Sequence, residues 1–148
     1  VARASLLLLL VLAGCRTHPL DDGTFGFVET GTPLRDDCGL QGQGVLGTGA
    51  LTTTGHLVTL AMTRPPGALA GSYRYNLEQM ILDGAFFNYQ TQVRGLGCLV
   101  EDAALHLETT TLDATRFTGL AQLTYTSRQP DTCSCQYWFA FEATRTGP

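Results

Sequence analysis

Between Arg116 and Thr144 the apolar residues fall on every second position in two runs. Phe117, Gly119, Ala121, Leu123 and Tyr125 share one face of the first run. Cys135, Tyr137, Phe139, Phe141 and Ala143 share one face of the second. A period of two belongs to extended backbone, whose successive side chains point to opposite sides. With a loop over Arg128 to Thr132, antiparallel pairing sets Gly119 against Phe141 and Ala121 against Phe139. Small against large is how a curved sheet fills its concave side. This hairpin commits the chain to a sheet with one buried face.

The rest of the chain extends that sheet. Thr24 to Thr30 reads as a first short strand. Val45 to Thr53 and Leu57 to Thr63 flank a turn at Thr54-Gly55, and Ala103, Leu105 and Leu107 alternate with polar neighbours. Gly31 to Gly44 is rich in turn formers and reads as irregular. The prolines of Arg64 to Gly71 (RPPGALAG) argue for a loop there, because proline cannot donate to a ladder. Asp83-Gly84 is the strongest two-residue turn signal, so Tyr73 to Leu82 and Ala85 to Arg94 read as a hairpin. Matching the inward residues of that hairpin requires a β-bulge near Glu78-Gln79, with a helical turn over Leu77 to Leu82 as the alternative. The sum is a single all-β antiparallel domain of about eight strands over residues 24–148. Both an up-and-down, lipocalin-like barrel and a two-sheet β-sandwich fit, since inward and outward positions alternate in each.

Ahead of this domain, the apolar run from Leu6 to Ala13 follows Arg3 and is too short to span a bilayer as a helix. Positive start, apolar middle and small-residue end make residues 1–14 a secretory signal peptide. Leu12-Ala13-Gly14-Cys15 resembles the lipobox of bacterial lipoproteins at all four positions. The resemblance implies cleavage between Gly14 and Cys15, a diacylglycerol on the Cys15 sulfur and an acylated new amino terminus. Cleavage after Ala13, releasing a soluble protein, is the competing reading. Several acyl chains on Cys15 would hold the chain to membrane lipid where one chain binds only marginally. Residues 15–23 then form the lipidated cysteine and a polar tether. Arg16, where enterobacterial lipoproteins kept on the inner membrane carry Asp, implies the outer membrane.

Export puts the four remaining cysteines, Cys38, Cys98, Cys133 and Cys135, in an oxidising compartment, where an even count implies two disulfides. A Cys133–Cys135 bond would close a very tight ring, so Cys38 and Cys98 each pair with one of those two; the spacing does not say which. A soft metal held by Cys133 and Cys135 would need reduced thiolates, which export disfavours.

Charge and motifs narrow the function classes. The net charge of −4 argues against nucleic acid and against a polybasic membrane patch. His18, His56 and His106 have no metal-ligand spacing and read as surface residues. The doublets Asp21-Asp22, Asp36-Asp37 and Glu101-Asp102 lack the spacing of a calcium loop. Gly42 to Gly49 has glycines but no following helix to bind a phosphate, and no G-x-S-x-G elbow appears. Trp138 lies on the outward face with Gln136 and Glu142. A covering loop, such as the segment around Cys38, is expected over it, with a surface or ligand contact as the alternative. The expectation is therefore a non-enzymatic envelope lipoprotein that binds or braces a partner, with no cofactor beyond the lipid on Cys15. An envelope protein and a small apolar ligand are the partner classes besides the membrane. A lipocalin-like carrier and an envelope hydrolase with a loop-built site are the alternatives.

Overall fold

In a computed structural model that describes residues 19–148, the C-terminal alternation becomes the hairpin it predicts. Strand β7 (Arg116–Thr126) pairs with β8 (Cys135–Gly147), with Gly119 opposite Phe141 and Ala121 opposite Phe139. Six strands precede them: β1 (Gly23–Asp36), β2 (Thr48–Thr54), β3 (Leu57–Thr63), β4 (Pro66–Arg74), β5 (Gln79–Val93) and β6 (Leu96–Asp113). Each pairs antiparallel with the next, and β8 returns to pair with β1. The sheet is thus a closed up-and-down barrel, which excludes the sandwich. Residues 1–18, with the leader, Gly14, Cys15 and His18, lie outside the described residues.

The barrel interior is filled by side chains. Phe25, Phe117, Phe139, Phe141, Tyr137, Leu60, Leu69, Met80 and Leu82 are all buried there. Fully burying a large apolar side chain contributes roughly 1.5–3 kcal/mol. Phe25, Phe117 and Phe141 meet as tilted and edge-on rings, and Tyr137 stacks on Phe139 at 4.5 Å.

Four expectations are corrected. Asp83-Gly84 is not a turn but the middle of β5, where Asp83 pairs with Ala70 and His106. Gly84 is needed for a different reason: a Cβ there would lie 2.5 Å from Leu69 Cδ2 and 2.8 Å from the Ala68 carbonyl oxygen. It permits two strands to approach closely. Second, Pro66 to Gly71 is not a loop but most of β4. The chain reverses at Arg64-Pro65, and Pro66 takes the first position of its strand, where a proline is tolerated. The β4–β5 reversal therefore falls at residues 75–78, with Glu78 at φ +54°.

Third, neither the bulge at Glu78-Gln79 nor the helical turn over Leu77 to Leu82 forms. The inward alternation instead changes parity higher up. Met80, Leu82 and Phe86 are buried on one side of Asn88 (φ +52°) and Val93 on the other, and β6 switches likewise between Val100 and Ala103. Fourth, the first strand runs on to Asp36. A register shift between Thr30 and Arg35 pushes Gly31 to Leu34 out of the β1–β8 ladder. Strand β1 holds β2 by only four pairs, Gly23 to Gly26 against Leu51 to Thr48. Above them the gap is closed by residues 37–47, which bury Leu40, Val45 and Leu46. The Glu29 carboxylate accepts N–H bonds from Gly42 and Val45 of that segment, and the Tyr137 hydroxyl at 2.7 Å.

Candidate interaction surface

Alternating strand direction gives the barrel two unlike ends. Residues 19–22, the Gly55-His56 turn, residues 75–78 and the Ala114-Thr115 turn gather at one, the tether end. There Leu20 is buried, Asp21 N–H donates to the Ala114 carbonyl, and Thr53 donates to the Asp22 carboxylate. The other, the loop end, collects residues 37–47, the Arg94-Gly95 turn and the β7–β8 connection, whose one helical turn is α1 (Pro130–Cys133).

Both disulfides lie at the loop end. Cys38 bonds Cys135 and Cys98 bonds Cys133, so each of the first two cysteines takes one member of the closely spaced pair, as the spacing requires. The structure supplies the connectivity. Cys135 starts β8 beside the segment that carries Cys38, while Cys133 ends α1 beside the β5–β6 tip. Hydrogen bonds reinforce the brace. Arg94 N–H donates to the Cys38 carbonyl at 2.6 Å, and its guanidinium donates to the Thr132 carbonyl at 3.0 Å. The Asp36 carboxylate accepts from Leu40 and Gln41 N–H.

Beside the Cys38–Cys135 bond opens a cleft of about 590 Å³, lined by Cys135 and by Arg35, Asp37, Arg94, Asp131, Ser134 and Gln136 among others. Arg35 pairs with Asp37 at 2.6 Å and donates to the Gln136 side chain. Two cations, two anions, a hydroxyl and an amide suit a polar, mixed-charge partner. Tyr125 at the cleft and Tyr137 behind it are poor proton donors. Burial pushes both phenols up, and Glu29 pushes Tyr137 further.

The register carries the surface round the outer wall. Asp83, His106, Gln122, Trp138 and Arg35 are successive cross-strand partners on β5, β6, β7, β8 and β1. Trp138 is half-buried, with the Arg35 guanidinium 5.6 Å from its ring centre and its indole N–H buried without a hydrogen-bond partner. What lies over it is thus an arginine at the end of β1, three residues before Cys38. A second concavity, of about 420 Å³, adjoins along Ala104, His106, Gln122 and Thr124, and Thr124 lines the cleft as well.

His106 departs from its reading as a lone surface residue beside Glu108. Its Nδ1 lies 2.6 Å from Asp83 and its Nε2 3.2 Å from Glu108. Burial opposes the charged ring, but the hydrogen bonds and charges of the two carboxylates outweigh it and raise the pKa above 6.5. In the protonated ring both nitrogens donate to these carboxylates, and it then has no lone pair left to take a proton from a substrate. The Asp83-Gly84 dipeptide reads as a turn, which hides Asp83; taken as a strand residue, it falls opposite His106. His56 packs edge-on against Tyr75 at the tether end. Among the described residues no group of three or more His, Cys, Asp or Glu is placed to hold a metal ion.

No protein-family model matches the chain, and neither a curated protein nor a solved structure matches it.

Proposed function

We propose that the chain is a bacterial envelope lipoprotein, anchored through acyl chains on Cys15, whose barrel presents a binding surface to another envelope protein. The observation that carries this reading is the opposition of the two ends. Residues 19–22 join the barrel at the end away from both disulfides, so an anchor at Cys15 directs the cleft of Arg35, Arg94, Asp131 and Gln136 away from the bilayer. Two disulfides suit an oxidising envelope compartment. The outer wall carries Arg35, Asp83, His106, Glu108 and Gln122, unlike the apolar band of a barrel that itself crosses a membrane. The outer membrane is the destination that Arg16 favours.

A closed eight-stranded barrel is also the scaffold of a carrier for a small apolar ligand. The packed interior of Phe117, Phe139, Phe141 and Tyr137 favours binding outside the barrel over binding within it. For a hydrolase, His106 would have to give up a carboxylate before it could serve as a base.

The test is fractionation combined with photo-crosslinking in cells. Cys15→Ser is expected to move the protein from the membrane fraction to the soluble fraction. A photoreactive residue at Arg128, at the loop end, is expected to give a discrete protein adduct that one at Thr115, at the tether end, does not. Membrane association that survives Cys15→Ser, or adducts from Thr115 alone, would refute the reading.

A further inference from the structure

The tether end carries three exposed leucines on three neighbouring rim positions. Leu57 follows the Gly55-His56 turn, Leu77 lies in the β4–β5 turn and Leu112 is the last residue but one of β6; their exposures are 65%, 51% and 51%. Beyond the last β5–β6 pair, Gln79–Thr110, Thr111 N–H donates to the Glu78 carbonyl at 2.8 Å, next to Leu77 on one side and Leu112 on the other. The two leucines therefore flank the Glu78–Thr111 hydrogen bond on the rim. Tyr75 sits between this pair and Leu57, edge-on to His56 at 5.0 Å and donating its hydroxyl to the Gly55 carbonyl. Several backbone groups of the rim are already paired: Tyr73 N–H donates to the His56 carbonyl, Leu77 N–H to that of Arg74 and Asp21 N–H to that of Ala114. Nearby charges are partly internal too. Arg116 pairs with Asp113 at 2.8 Å, and Arg145 donates to the Asp22 carbonyl, while Arg74, Glu78 and Asp21 remain for the headgroup layer.

We propose that this rim, Leu57, Leu77 and Leu112 around Tyr75, seats in the lipid interface, so that the barrel stands on the bilayer on its tether end. The proposal rests on the reading of Cys15 as the lipid anchor. Length argues for it: three residues, and so four Cα–Cα steps, separate Cys15 from Pro19, a reach of at most about 14 Å even when fully extended. A linker that short holds the tether end against the headgroups, where exposed leucines and a tyrosine find their preferred surroundings. The other exposed large apolar residues belong to different surfaces: Phe87, Leu96 and Leu99 lie beyond the middle of the β5–β6 hairpin toward the loop end, Leu34 lies near the loop end of β1, and Val28 lies on the β1 wall opposite Glu142.

The experiment uses protein extracted from membranes, its Cys15 mass read first, and reconstituted in nanodiscs of zwitterionic lipid with some gadolinium-chelating headgroups. Backbone amide signals report proximity to the lipid. Broadening is expected at residues 55–57, 75–78 and 112–115, with residues 94–95 and 128–132 spared. Even broadening over both ends, or the strongest effect at the loop end, overturns the proposal. The triple variant Leu57→Ser, Leu77→Ser, Leu112→Ser alters only exposed side chains. It is expected to keep its acyl mass and, still held near the surface by its linker, to show weaker broadening at residues 55–57, 75–78 and 112–115; an unchanged contrast between the ends overturns the seat. A native mass without acyl chains refutes the anchoring reading instead. The seat is then read on the same chain with a maleimide lipid coupled to the Cys15 thiol, where the same pattern is expected and its absence overturns the seat.

Discussion

His106 is the residue whose neighbours do most to set its chemistry. Asp83 and Glu108 hold both ring nitrogens, so the folded state binds the proton more tightly than an unfolded chain with its ordinary pKa of 6.5. The stability this contributes is complete below about pH 6.5 and disappears as pH rises through the higher folded value. All three groups are partly exposed, so it amounts to no more than about 1 kcal/mol. His106→Gln is expected to melt below the wild type at about pH 5.5, with the gap narrowing as pH rises above 6.5, in paired thermal scans; a constant gap would deny the proton linkage. Gly84 makes a packing prediction at the same scale. Gly84→Ala drives a methyl into Leu69 and the Ala68 carbonyl and is expected to cost about 1–3 kcal/mol in urea titrations. Both residues show where sequence reading falls short. An Asp-Gly pair is a local turn signal, whereas the close approach that requires Gly84 arises only once β4 exists.

Elements with a clean period of two are legible in advance: β3 and the β7–β8 hairpin with its register follow from spacing, as does the rule that Cys38 and Cys98 each take one of Cys133 and Cys135, while which takes which comes only from the fold. Strand β4 is hidden because prolines dominate its start, and the extension of β1 to Asp36 is hidden because Gly31 and Pro33 look like a break. The two disulfides brace different elements, and this can be tested. Cys98–Cys133 closes a separation of 35 residues and Cys38–Cys135 one of 97. Chain entropy assigns them about 4 and about 5 kcal/mol. Replacing Cys98 and Cys133 by serine is expected to speed amide exchange at residues 93–97. Replacing Cys38 and Cys135 is expected to speed it at residues 38–47. Equal loosening of both segments by either pair would contradict this division of labour.

At the scale of the whole molecule, closure and orientation are the features that no local pattern contains. Pairing of β1 with β8 joins residues more than a hundred positions apart, such as Thr24 with Gly147, and periodicity is silent about it. The outer row from Asp83 through His106, Gln122 and Trp138 to Arg35 needs the register of five strands at once, so it too was illegible. Closure sets the tether end opposite the loop end, and an anchor at Cys15 gives that polarity a direction. The most direct measurement is the intact mass of unreduced protein from membranes, with its disulfide-linked peptides. The expected mass lacks residues 1–14, carries acyl chains on Cys15, and yields Cys38 linked to Cys135 and Cys98 linked to Cys133. A chain that keeps its leader, or one with an unmodified Cys15 and free thiols at the other four, would contradict the account.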